Sequence, residues 1–116
     1  MQSLNKAKLC MKTINERKAI DPVLFEVVNF TSITDYLIIA SGNSNRQVQA
    51  ISNHLQKKMR EKGFRALGIE GQQEGHWVLL DYGDIVIHLF YQPVREIYDL
   101  EGLWVEALRI DQETDQ

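Results

Sequence analysis

The sequence has a single cysteine, Cys10, in 116 residues. That excludes an internal disulfide and any zinc site built from several thiolates, and it suits a reducing compartment. No apolar run approaches membrane-spanning length, and the opening Met1-Gln-Ser-Leu-Asn-Lys-Ala-Lys8 breaks with polar groups the apolar stretch a signal peptide needs. A cytoplasmic protein without membrane contact is expected. Phosphate-handling signatures are missing as well: there is no Gly-Lys-Ser/Thr of a P-loop and no Gly-x-Gly-x-x-Gly turn. His54, His76 and His88 have no histidine or cysteine at ligand spacing, and Cys10 has no activating base close in sequence. Asp81 and Asp84 flank a turn instead of standing at i and i+2 on one strand face, which suits turn formation better than clamping a metal ion. These gaps predict a protein without catalytic activity, metal or cofactor.

What is present describes one small globular domain. Hydrophobic residues make up 44% of the chain and charged residues 25%, enough for a domain of this length to bury roughly two-thirds of its unfolded surface. The domain is expected over residues 1–110, with 111–116 as a frayed tail. The net charge of −3 conceals an asymmetry. Residues 1–65 carry eleven Lys or Arg against five acids, a charge of +6, and residues 66–116 carry two against eleven, a charge of −9. An acidic half repels phosphate and favours a basic partner, which argues for little or no direct nucleic-acid contact. Mutual neutralisation of the two halves within the fold is the plainer alternative.

Leu4, Ala7, Met11 and Ile14 recur at helical spacing with Lys6, Lys8, Lys12 and Arg17 between them, which predicts a first helix with a basic outer face, ending before Asp21-Pro22. Val23–Val28 and Asp35–Ala40 read as strands, the second apolar enough to be buried on both faces. After Ser41-Gly42-Asn43, the Ser44-x-x-Gln47 spacing of a capping box opens a second helix. Its stripe is Val48, Ile51, Leu55 and Met59, and Gly63 provides its end. Phe64–Ile69 reads as a short strand and Gly71–Gly75 as a turn. His76–Tyr82 and Ile85–Phe90 then form a hairpin around Gly83-Asp84, and Pro93 leads into a short helix through Arg95, Tyr98 and Leu100. This order predicts an α/β (α+β) domain with a mixed sheet of about five strands covered by helices.

The hairpin is the candidate binding element. Alternation puts Trp77, Leu79 and Asp81 on one face and His76, Val78, Leu80 and Tyr82 on the other. If the second set packs inward, an aromatic, an aliphatic and an acid face outward together, a hot-spot composition. If instead Trp77 packs under the second helix, Tyr82 is exposed. His88, among apolar strand residues, is expected to be a hydrogen-bonded sheet residue, and His54 a helix-surface one.

At this point the sequence resembles the ribosomal silencing factor (RsfS, Iojap-like) family. The resemblance rests on Ile33-Thr-Asp35-Tyr-Leu-Ile-Ile-Ala-Ser-Gly42-Asn-Ser-Asn-Arg46-Gln-Val48, on Gly71 with Glu74, on Trp77-Val-Leu-Leu-Asp81-Tyr-Gly83-Asp84-Ile-Val-Ile-His88, and on Arg95-Glu-Ile-Tyr98-Asp-Leu-Glu101-Gly-Leu-Trp104. It covers about residues 4–106 in order. The resemblance implies a nucleotidyltransferase-like fold without the catalytic carboxylates. It also implies binding to the large ribosomal subunit, through the ribosomal protein conventionally numbered fourteen, at the surface where the small subunit docks. Translation would be repressed under nutrient limitation by a steric block; a large-subunit assembly factor or adaptor that leaves joining intact is one alternative, and a small nucleotidyltransferase-like enzyme a second. On these motifs and on strand alternation Trp77, Leu79, Asp81 and Tyr82 are expected at the centre of the contact, with Asp35, Glu74, Arg95 and Tyr98 as its supports or rim. Asp35 and Arg95 are alternatively an internal ion pair. An exposed hairpin or apolar patch would also support a homodimer that competes with ribosome binding.

Overall fold

The structure is a computed structural model that describes residues 2–110. The apolar stripe of the first segment winds into α1 (Ser3–Asn15), burying Ala7, Cys10, Met11 and Ile14. After β1 (Ile20–Glu26) and β2 (Tyr36–Gly42), Ser44 caps α2 (Asn45–Glu61): its hydroxyl accepts from the Gln47 N–H at 3.0 Å, and the Gln47 side chain accepts from the Asn43 N–H at 2.6 Å. The capping-box spacing therefore closes a real cap. Gly63 follows at φ +88°, the left-handed value that suits glycine after a helix.

The rest of the chain is β3 (Gly68–Glu70), β4 (Trp77–Asp81), β5 (Ile85–Tyr91), α3 (Gln92–Tyr98), a 3₁₀ turn over Leu100–Trp104 and β6 (Leu108–Ile110). The strands form one mixed sheet in the order β3-β4-β5-β2-β1-β6, with β2 and β5 parallel and every other pair antiparallel. The α+β class holds, with six strands instead of about five. The added strand, β6, is three residues long and exists through pairing to β1, so it has no alternation of its own to announce it. The expected strand at Phe64–Ile69 shrinks to Gly68–Glu70, because Phe64 and Ala66 pack against the helical core from an irregular segment. Residues 111–116, read as a tail, lie outside the described residues. Among the described residues no helix is long and apolar enough to cross a membrane.

The sheet divides two unlike layers. On one side α1 and α2 cover Leu24, Ile38, Ala40, Val78, Leu80, Ile85, Ile87 and Leu89 in a continuous aliphatic core. Cys10 lies in it with its sulfur 3.7 Å from that of Met59, and burial pushes its thiol up to about 12, so it is inert. On the other side Val23, Phe25, Val27, Leu37, Ile39 and Phe90 pack under Val94, Leu100 and Trp104. β2 is buried on both faces, which explains its unbroken apolar run.

Lys6 corrects the reading of a uniformly basic α1 surface. It is 8% exposed, and its ammonium lies 2.9 Å from Asp84 Oδ1 and 4.4 Å from the centre of the Phe64 ring. Ser3 Oγ donates to the other Asp84 oxygen at 2.7 Å. Burial alone would raise the Asp84 carboxyl, but the hydrogen bonds from Lys6 and Ser3 outweigh it and hold the group below its usual value.

Candidate functional site

The hairpin turns on Gly83, at φ +85°, where Asp81 Oδ1 accepts the Gly83 N–H at 2.8 Å in the turn-forming role expected of it. Val78 and Leu80 are fully buried against the helical layer, and Tyr82 joins them at 6% exposure. Trp77, Leu79 and Asp81 point to the opposite face and are half-buried there. Of the two arrangements the pattern allowed, the outward-facing Trp77 is the one formed. Tyr82 does not belong with it: it sits on the other side of the sheet, its hydroxyl held neutral chiefly by burial, with a pKa pushed up to about 12. It is a core residue, packed with the helical layer and not on the face of Trp77.

Register brings the neighbours of Trp77 into place. Trp77 pairs with Phe90 and Leu79 with His88 on β5, and Phe90 pairs with Ser41 on β2. The Trp77 ring lies 4.8 Å from Phe90, 5.8 Å from His88 and 4.9 Å from Tyr98 at the end of α3, centre to centre. Its indole N–H donates to His88 Nδ1 at 2.9 Å, which places the histidine proton on Nε2. Burial lowers the His88 pKa to about 4, so the ring is neutral near pH 7 and remains an acceptor. His88 is thus the hydrogen-bonded sheet residue expected, and its bond aims Trp77. Tyr98, whose ring meets the indole, is 59% exposed, and Ile97 before it on α3 is 78% exposed.

Arg95 is not at the surface. It is 8% exposed, and all five of its N–H groups are used. Nε donates to Glu101 Oε1 at 2.8 Å and Nη2 to Glu101 Oε2 at 3.1 Å, while Nη2 reaches the Asp21 carbonyl and Nη1 the Ile20 carbonyl and Ser41 Oγ. The Asp21 carbonyl is presented by a bulge in β1 where Asp21 adopts φ +47°. Arg95 is therefore structural, through a pair with Glu101 instead of Asp35. It pins α3 over Ser41, one strand from Phe90 and two from Trp77, and so holds Tyr98 against the indole.

The other two expected residues are scattered. Asp35 is half-buried at the start of β2, where its carbonyl accepts the Val27 N–H and its own N–H donates to the Asp84 carbonyl. That is the end of the sheet away from Trp77, beside Asp81. Glu74 is exposed in a loop strapped to α2 by amides: Gln49 Nε2 donates to the Gln72 and Gln73 carbonyls at 3.1 and 2.6 Å. Gly71 and Gly75 at its ends have positive φ, and a Cβ on Gly71 would stand 2.0 Å from the Trp77 carbonyl oxygen. The loop is thus a rigid flank of Trp77, with Glu74 at the rim. His88 and Phe90 are neighbours of Trp77 that sequence pattern did not place beside it; only strand register does so.

The site has aromatic, aliphatic and acidic groups on a partly covered sheet face. Among the described residues no three His, Cys, Asp or Glu side chains are grouped to hold a metal ion.

Comparison with known proteins agrees with this picture. The family model described as "Ribosomal silencing factor during starvation" matches residues 1–116. A protein named ribosomal silencing factor RsfS from Chromobacterium violaceum is 40% identical over 98 residues, 84% of this chain and 80% of that one. One from Halalkalibacterium halodurans is 36% identical over 106 residues, 91% of each chain. A mouse protein named mitochondrial assembly of ribosomal large subunit protein 1 is 32% identical over 83% of this chain and 43% of its own length. A crystal structure of a Chromobacterium violaceum protein superposes with a TM-score of 0.88 at 38% identity, covering 90% of this chain and 87% of that one. The chain belongs to the ribosomal silencing factor family, a family of ribosome-associated regulators and not of enzymes.

Proposed function

We propose that this protein binds the large ribosomal subunit through its ribosomal protein fourteen and, from there, sterically keeps the small subunit from joining, so that translation falls when nutrients are short. The observation that carries this reading is the face around Trp77. A half-buried indole, aimed by His88 and flanked by exposed Tyr98, with Leu79 and Asp81 along the same strand, is an aromatic anchor with an acidic rim. Trp77, Leu79, Asp81 and Tyr98 form the contact and Glu74 its edge; Arg95 supports from beneath.

Charge favours a basic protein as the partner. Outside the helical segments 2–18 and 44–65, residues 19–43 and 66–110 carry eleven acids against Arg95 and Arg109, a charge of −9. Such a surface is steered towards a basic ribosomal protein and away from bare RNA. The block needs no turnover. The molecule measures 33 × 32 × 27 Å, and a body of that thickness on an intersubunit surface prevents docking. Two copies meeting on the Trp77 face would compete with this contact.

The mouse relative's name favours an assembly role as the second reading. Sedimentation of large and small subunits with added protein separates the two. Silencing predicts co-migration with the large subunit and loss of joined particles. Co-migration with normal joining would assign the assembly role, and no co-migration would overturn both.

A further inference from the structure

We infer that the helical layer is a second binding surface, opposite the Trp77 face, and that its ligand is the phosphodiester backbone of RNA. The charge asymmetry between the two halves of the sequence is converted by the fold into one between two faces. Segments 2–18 and 44–65, which contain α1 and α2, hold eleven Lys or Arg against Glu16 and Glu61, a charge of +9, and both helices lie on the same side of the sheet. Only Lys6 among these cations is buried. The expectation of little nucleic-acid contact rests on the acidic C-terminal half; the helical layer is the opposite, basic face.

Three of these cations, Arg17, Lys57 and Lys58, line a groove between the residues just after α1 and the C-terminal part of α2. It is lined by Arg17, Ala50, Asn53, His54, Lys57, Lys58 and Glu61, with a volume of about 510 Å³. Arg17, Lys57 and Lys58 have no ion-pair partner among the described residues. Glu16 lies at the edge, bonded to His54 Nε2 at 2.8 Å; that bond first, and then the fields of Lys58, His54 and Lys12, lower its pKa. The local field is cationic even at the acid.

The composition of this face selects among anionic partners. Among the described residues the nine exposed large hydrophobic residues all lie between Val28 and Ile33 or between Leu67 and Val105, and none is in α1 or α2. A protein interface would present an aromatic or aliphatic anchor, and a membrane-binding helix an apolar edge to insert. Neither is present. A surface of Lys, Arg, Asn and His without apolar anchors fits a polyanion whose charges are regularly spaced and solvated, as phosphates along RNA are.

The inference stands on its own charges; its ribosomal setting rests on the function proposed above. Titration of the full chain into a fluorescently labelled RNA duplex, followed by anisotropy at increasing KCl, tests it. The expected result is saturable binding that weakens with salt by roughly one unit of log–log slope per phosphate contacted, about three or more in all. Arg17→Glu/Lys57→Glu/Lys58→Glu should bind at least tenfold more weakly with a flatter slope at an unchanged melting temperature, and the milder Lys57→Gln/Lys58→Gln should lose part of the affinity. Trp77→Ala should bind RNA like the wild type while losing the large subunit, which separates failure of this inference from failure of the ribosomal one. No binding at low salt, binding indifferent to salt, or a triple variant that binds normally would overturn the inference. So would anionic phospholipid vesicles that outcompete the duplex, which would assign the face to a membrane surface.

Discussion

Along β4 successive side chains have different surroundings. Val78 and Leu80 are sealed beneath α1 and α2, while Trp77 and Leu79 lie on a face that α3 and the 3₁₀ turn cover only in part. The sealed face is aliphatic and interchangeable in chemistry; the partly covered face is aromatic, hydrogen-bonded and specific. The same strand thus supplies stability with one set of residues and recognition with the other. Substitutions at neighbouring positions should therefore fail in different assays.

The largest effect is expected on the sealed face. Leu80→Ala should cost about 2–5 kcal/mol of stability by chemical denaturation, with ordinary partner binding for the fraction that stays folded. Arg95→Ala comes next, at about 3 kcal/mol, because it strands the Glu101 carboxylate and two backbone carbonyls; Glu101 is a third exposed, which keeps the figure at the low end of the range. Near-ultraviolet circular dichroism should show the loss of the Trp77–Tyr98 contact in Arg95→Ala and leave it intact in Leu80→Ala at temperatures where that variant is folded.

The partly covered face also carries a pH dependence. Folded His88 stays neutral down to about pH 4, whereas the unfolded chain takes up its proton near 6.5. Unfolding therefore binds a proton between those values, and stability falls as pH drops through that window, by about 3 kcal/mol. Protonation would also remove the acceptor for the Trp77 N–H. His88→Gln should flatten the urea midpoint between pH 6.5 and 4. Trp77→Ala should weaken binding to ribosomal protein fourteen by roughly thirtyfold or more, as expected for a central anchor. Leu79→Ala, the neighbour of Leu80, should be the mildest for the fold, under about 1 kcal/mol, with its effect confined to binding.

How much of this was legible in the sequence depended on whether the signal was local. Periodicity and capping placed α1, α2, β2 and the hairpin, because each carries its own apolar stripe or turn residues. β6 escaped because three residues paired to β1 have no pattern of their own. Alternation separated Trp77 from Tyr82 but allowed either to be outside; the helical stripes facing Val78 and Leu80 decide the matter. Arg95 was recognisable as important but not as buried, since its partners at Ile20, Asp21 and Ser41 are more than fifty residues away. Lys6 looked like one more surface cation, because its Asp84 partner comes from the far hairpin. The charge asymmetry was visible as a division of the chain, and folding turned it into a division of surfaces.

The most direct test of the account is a two-dimensional ¹H–¹⁵N titration of the labelled protein with isolated ribosomal protein fourteen. The account predicts that the Trp77 indole resonance and the amides of β4, β5 and α3 shift or broaden while those of α1 and α2 stay in place. Perturbation confined to α1 and α2, with the Trp77 indole unmoved, would contradict it.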